Sequence, residues 1–218
     1  MIPDDDAIAT WLAARQPFYR YRTPRYQVRL IQDLGALLPE GRCRLLDIGA
    51  GSGLMAEAIS ALYPGKSLTG VDVAQRVLPA LRVPFVKFDG RRLPFADAAF
   101  DGALFCNVLH HVRRDARVPL LREALRVTGG GPLIIKDHVA ESLIDHWKLA
   151  CLDFAGNVPF GGMVSAEYLG GDEWRRLFDA LGCDVERAGP SDYRGALSNW
   201  LFPNRLEQCF RVQSRRQL

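Results

Sequence analysis

Leu45-Leu46-Asp47-Ile48-Gly49-Ala50-Gly51-Ser52-Gly53-Leu54 is the stretch on which the fold turns. Its first half is an apolar run broken by one acid, which predicts a strand buried on both faces. Three glycines at alternate positions then predict a tight turn that a ligand can approach closely. Helical periodicity begins there and runs through residues 53–62. A second apolar run, Ser67-Leu68-Thr69-Gly70-Val71, ends on Asp72. Strand, glycine turn, helix, strand and terminal acid are the parts of a ligand-binding βαβ unit.

Working outward, strand and helix signals keep alternating. Strands are predicted over residues 43–48, 67–72, 83–88, 100–106 and 132–137, and helices over 53–62, 74–81 and 118–127. Continuous apolar strands joined by helices imply an α/β fold with a parallel sheet covered on both faces. A further helix is predicted over residues 174–181, then strands over 183–187 and 206–212. Residues 1–40 read as a helical N-terminal cap divided by Pro17 and Pro24. Residues 41–137 form the ligand-binding half, and 172–218 complete the sheet. Residues 138–171 break the alternation with a helix over 142–154 and a glycine-rich turn region over 156–162. An insertion of this length next to the fifth strand suggests a lid.

With 218 residues the chain is read as one domain, 1–218, and 48% hydrophobic residues give it a large core. A net charge of +3 gives little pull towards nucleic acid or anionic membrane. The segment from Phe18 to Tyr26 does interleave arginines with aromatics, but no second such cluster accompanies it, which argues against nucleic acid as partner. It reads first as a solvated helix face and second as a cover over the ligand. No apolar run reaches the length of a membrane span, and the start, Met1-Ile2-Pro3-Asp4-Asp5-Asp6, has no signal-peptide character. Cys43, Cys106, Cys151, Cys183 and Cys209 are scattered, without Cys-x-x-Cys pairs. That pattern implies reduced, packed thiols and a cytoplasmic setting, with no metal site.

A dinucleotide fingerprint requires a third glycine at the sixth position from Gly49, where this chain has Leu54. The Asp47-x-Gly49-x-Gly51-x-Gly53 spacing followed by Asp72 instead resembles the class I S-adenosylmethionine-dependent methyltransferases. The resemblance continues through Phe88-Asp89-Gly90, Leu93 to Asp101 and Cys106-Asn107-Val108-Leu109-His110-His111. Here it is similar to the ubiquinone and menaquinone biosynthesis methyltransferases and their small-molecule relatives. It implies a Rossmann-like doubly wound sheet of seven strands, the last inserted antiparallel beside the fifth. It also implies S-adenosyl-L-methionine as cofactor, held by Asp47, Gly49, Ala50, Gly51, Ser52, Gly53, Asp72, Val73, Asp89, Gly90, Asn107 and Leu109. Asp72 would accept from the ribose hydroxyls. Asp89 would accept from the adenine amine, or act only as the turn-former of an Asp-Gly pair. Ala50 stands where many relatives have Cys, and Asn107 where relatives often have Asp.

Methyl transfer to oxygen or carbon commonly needs a base, and acceptors sit at the carboxyl ends of such strands. His110 and His138 are therefore the candidate catalytic residues, each with the alternative of a hydrogen-bonded structural histidine. Asp137 orients a histidine, binds acceptor or caps a helix. The Pro-Pro-aromatic and Pro-Cys motifs of nucleobase methyltransferases are absent. The implied function is methylation of a small organic acceptor at O, N or C. RNA or protein methylation and non-catalytic cofactor binding remain as alternatives. Oligomeric state is open.

Overall fold

The protein is described from a computed structural model covering residues 2–20, 24–157, 165–188 and 192–215. Seven strands form one sheet: β1 (Cys43–Ile48), β2 (Lys66–Asp72), β3 (Phe85–Lys87), β4 (Gly102–Cys106), β5 (Leu133–His138), β6 (Cys183–Ala188) and β7 (Glu207–Ser214). Their spatial order is β3-β2-β1-β4-β5-β7-β6. Pairs from β3 to β5 are parallel, and β7 lies antiparallel between β5 and β6, with Ile135 opposite Phe210. The order reverses between β1 and β4, and the carboxyl ends there open the crevice used by ligands in doubly wound sheets.

Period-two alternation sorts the strand residues onto two faces. Leu46, Ile48, Phe105 and Ile135 join α4 (Arg114–Val127), α6 (Gly171–Leu181) and Phe210 on one face. Leu45, Leu104 and Ile134 join α1 (Asp5–Arg15), α2 (Arg25–Leu37) and α3 (Leu54–Leu62) on the other. β5 is buried along its whole length, including Lys136, Asp137 and His138. Those three polar residues therefore require internal partners.

One predicted helix is absent. Residues 74–81 form turns and irregular backbone instead. Pro79 bars the preceding residue from helical conformation, and Leu78 donates its amide to the Ser52 carbonyl at 3.0 Å. The segment is thus tied to the glycine turn, with Val77 and Leu78 packed on the α3 side.

α5 (Leu143–Asn157) rests on a small separate cluster of Ala140, Leu149, Tyr168 and Leu206. Leu143, Ile144, Trp147 and Phe154 of this helix face solvent. Residues 158–164 of the predicted glycine-rich turn lie outside the described residues, as do Tyr21, Arg22 and Thr23 of the basic-aromatic segment. No helix of the described residues is long and apolar enough to cross a membrane. All five cysteines are free thiols, Cys151 being exposed. A short α7 (Ala196–Leu201) precedes β7.

Candidate active site

The glycine turn leaves β1 with its amides already directed. Gly49 and Ala50 donate to the Val71 carbonyl at 2.8 and 3.1 Å, and Gly51 donates to Asp72 Oδ2 at 2.8 Å. Gly49 has φ +78°, and a Cβ there would come within 2.5 Å of Val108. Only glycine admits both that backbone and that contact. Gly51, at φ +52°, has open space where a side chain would be. Gly53 caps α3 in the left-handed conformation. The second Asp72 oxygen accepts from Ala74 N at 3.0 Å, and Arg76 stands 3.7 Å from Oδ2. Each carboxylate oxygen retains a lone pair for a hydroxyl donor.

Asp47 is buried, and its Oδ1 has no hydrogen-bond partner among the described residues. Burial, and then the Asp72 charge, push its carboxyl up to about 7. A buried carboxylate with an orphaned oxygen is completed by a cationic donor. S-adenosylmethionine fits this need: it brings an ammonium for Asp47, a ribose diol for Asp72 and net positive charge for the pair. A pH dependence follows. With its pKa raised in the folded chain, Asp47 stabilises the free protein at low pH, and that contribution is lost as pH rises from about 4 to about 7. Pairing with an ammonium requires the ionised form. Cofactor affinity should therefore weaken as pH falls below about 7, by up to about tenfold per unit. Calorimetry between pH 5.5 and 8.5 measures this. Equal pH dependence in Asp47→Asn would show that another group is responsible.

Beyond Val108 the chain turns into a buried polar cluster at the tips of β4 and β5. His110 Nδ1 lies 2.5 Å from Asp137 Oδ1, and Asp137 also accepts from Leu109 N at 2.8 Å and His138 N at 2.7 Å. His110 Nε2 stands 3.3 Å from Asp153 Oδ2 without hydrogen-bond geometry. His138 places Nε2 3.7 Å from Asp153 Oδ1 and Nδ1 3.1 Å from Glu207 Oε2. Tyr168 donates to Asp153 Oδ2 at 2.5 Å. Burial would lower the His110 pKa, but Asp137 and then Asp153 raise it to about 9. Burial would raise Asp137, but His110 and then His138 hold it down to about 2. Burial also works against a charged His138, and Glu207 outweighs it, so that pKa too is raised.

A second buried group joins this one through Glu207. Lys136 Nζ donates to Glu207 Oε2, to Tyr26 Oη at 2.5 Å and to Asn107 Oδ1 at 2.6 Å. Arg194 donates to Glu207 Oε1.

The structure gathers Asp47, Gly49, Ala50, Gly51, Ser52, Gly53 and Asp72 around one turn. Asp89 is exposed, one residue beyond Phe88, whose amide donates to the Asp72 carbonyl; its carboxylate accepts from the amides of Arg91 and Arg92 at 2.8 and 2.9 Å, the bonding of a turn. Gly90 approaches Val73, whose side chain is exposed. Leu109 commits its side chain to the core and its amide to Asp137. Asn107 has φ +57° and binds Lys136. The sequence singles out none of Lys136, Glu207, Tyr168 and Asp153, and Tyr26 only as the end of the basic-aromatic segment. The available signal was a charge inside the apolar run Leu133-Ile134-Ile135-Lys136. Such a charge predicts a buried partner but does not name it.

Residues 46–135 match the family described as Methyltransferase domain. An uncharacterized methyltransferase of Mycobacterium leprae is 38% identical over 143 residues, covering 61% of this chain and 45% of the relative. An O-methyltransferase of Penicillium expansum is 31% identical over 125 residues, covering 52% of this chain and 45% of the relative. Each match spans about half the length of the curated relative. The crystal structure of a S-adenosylmethionine-dependent methyltransferase from Thermotoga maritima superposes with a TM-score of 0.62 at 20% identity, covering 97% of this chain and 99% of that one. Residues 46–135 thus resemble a methyltransferase domain, and the chain shares the fold of the S-adenosylmethionine-dependent methyltransferases.

Proposed function

We propose that this protein transfers a methyl group from S-adenosylmethionine to a small organic acceptor, with oxygen as the first choice of accepting atom and nitrogen or carbon as the others. One observation carries the reading. The imidazoles of His110, two residues beyond the Val108 that packs on the glycine turn, and of His138, the last residue of β5, stand together with ring centroids 4.8 Å apart. The O-methyltransferase relative supports oxygen.

The bound cofactor supplies an electrophilic methyl on a sulfonium. The chain supplies placement. Asp47 would hold the ammonium and Asp72 the ribose, fixing where the methyl points. Asp137 fixes the His110 ring, and Glu207 faces the His138 ring. A ring so held would orient the acceptor; with its pKa raised, it would take the acceptor's proton only where the pH leaves the ring neutral. α5 closes this cluster by supplying Asp153 from above.

The basic-aromatic segment gives little support to RNA. Arg25 pairs with Asp192, Arg29 binds Asp5 at 3.1 Å, and Arg20 donates to the Ala13 carbonyl. Tyr26 turns inward to Lys136. Side chains committed to protein partners do not read phosphates.

The test begins with labelled S-adenosylmethionine and a panel of phenols, carboxylic acids and amines. With an acceptor in hand, His110→Gln and His138→Gln should each lower turnover by about 10²-fold or more. Cofactor affinity should stay within about twofold. Full turnover in both variants would remove the histidines from the reaction. Cofactor binding with no labelled product from any fraction would favour a non-catalytic module.

A further inference from the structure

The geometry points to a divalent transition-metal site formed by His110 Nε2, His138 Nε2 and an oxygen of Asp153, roofed by α5 at the tips of β4 and β5. This inference rests on the geometry of the cluster and not on the methyl-transfer reading.

The three side chains are buried, and one ligand atom from each lies within 4.8 Å of the others. His110 Nε2 is 3.3 Å from Asp153, close to the separation of about 3.4 Å between two ligands on a tetrahedral centre with bonds of about 2.1 Å. A pair at the 4.8 Å limit must close by about 1.4 Å. His110 Nε2, on a ring only 1% exposed, faces Asp153 Oδ2 without hydrogen-bond geometry among the described residues. A buried ring nitrogen set against a carboxylate is completed either by a proton shared between them or by a metal ion.

The surroundings favour the ion. Both rings turn Nδ1 to a carboxylate: His110 is hydrogen-bonded to Asp137, and His138 lies 3.1 Å from Glu207 Oε2 without hydrogen-bond geometry. That leaves Nε2 of each ring facing Asp153. A carboxylate behind the ring fixes the tautomer and makes the outward nitrogen a better ligand. Tyr168 holds the third ligand by donating to Asp153 Oδ2. Asp137 and Asp153 find no lysine or arginine within ion-pair distance among the described residues. Among the described residues, the imidazoles are their only partners at ion-pair distance. Two imidazole nitrogens and one carboxylate oxygen select zinc, iron(II), cobalt(II) or nickel(II) over magnesium and calcium, which prefer all-oxygen sets.

The experiment uses the full chain, stripped with a chelator and titrated with cobalt(II), with magnesium as the control. One saturable cobalt per chain is expected, with visible d–d bands and no near-ultraviolet sulfur-to-cobalt charge transfer. That spectrum separates this site from capture by the five thiols. His110→Gln and Asp153→Asn should each weaken cobalt affinity by about a hundredfold, and Tyr168→Phe by about tenfold. Absence of saturable binding, a thiolate spectrum, or affinity within twofold of the parent in both ligand variants overturns the site. If those variants do not fold, zinc-soaked crystals of the parent decide. An anomalous peak between the three side chains supports the site, and a peak elsewhere or none refutes it. Metal binding is read without acceptor or cofactor. A chain that binds cobalt and methylates nothing keeps this site and loses the proposed reaction, and the reverse outcome is equally distinguishable.

Discussion

Replacing Lys136 with methionine should lower the unfolding free energy by about 3–5 kcal/mol, the largest loss expected from any single change in the sheet. Lys136 and Glu207 are both fully buried and joined directly. Methionine fills the same volume but leaves Glu207 with Arg194, His138 and the Tyr26 hydroxyl and no lysine, and it strips a donor from Asn107 and Tyr26. The loss comes from the carboxylate left behind rather than from the worth of the pair. Glu207→Gln in the same chain should therefore return part of it. Denaturant titrations of the single and double variants measure the coupling. A midpoint within experimental error of the parent, or no recovery in the double variant, would show that Glu207 is charge-balanced without Lys136.

Asp72→Ala should weaken S-adenosylmethionine binding by roughly 1.5–3 kcal/mol, about tenfold or more, through loss of a charged acceptor for the ribose. The structure adds a second consequence. Asp72 also accepts from Gly51 N and Ala74 N, so alanine leaves two amides unsatisfied beside the glycine turn. Stability should fall by about 1–3 kcal/mol even without ligand. Asp72→Asn separates the two effects, because its amide oxygen keeps one backbone bond. Isothermal calorimetry and thermal melts read both quantities. Unchanged cofactor affinity in the alanine variant would remove Asp72 from the site.

The candidate site was legible where chemistry is local. The glycine turn needs positive φ at Gly49, Gly51 and Gly53, and the chain supplies glycine at each. Asp47 and Asp72 are set by their places at the ends of β1 and β2, and both arrive at the turn. His110 and His138 were visible as polar residues at strand ends. The helix over residues 74–81 was misread because helical spacing outweighed Pro79 in the sequence. In the fold, Leu78 gives its amide to Ser52 rather than to a helical ladder. Asp89 was legible only as one of two readings, and its carboxylate is found bonded to its own turn.

The sequence by itself determined the strand and helix layers; the place of the last strand beside the fifth came with the family resemblance. Period-two burial, helical spacing and glycine placement are properties of neighbouring residues, and the same physics acts on them in a peptide as in the fold. The sequence also determined the glycine turn between β1 and α3. Only the tertiary structure decided the partners of the buried charges. Lys136 meets a glutamate 71 positions away, and His110 meets Asp137 and Asp153 from two other elements. Such pairs carry no local pattern, since a charge in an apolar strand states only that a partner is needed. The partner is chosen when β7 slides between β5 and β6 and α5 settles over the strand tips, because burial then makes each unpaired charge too costly to leave alone.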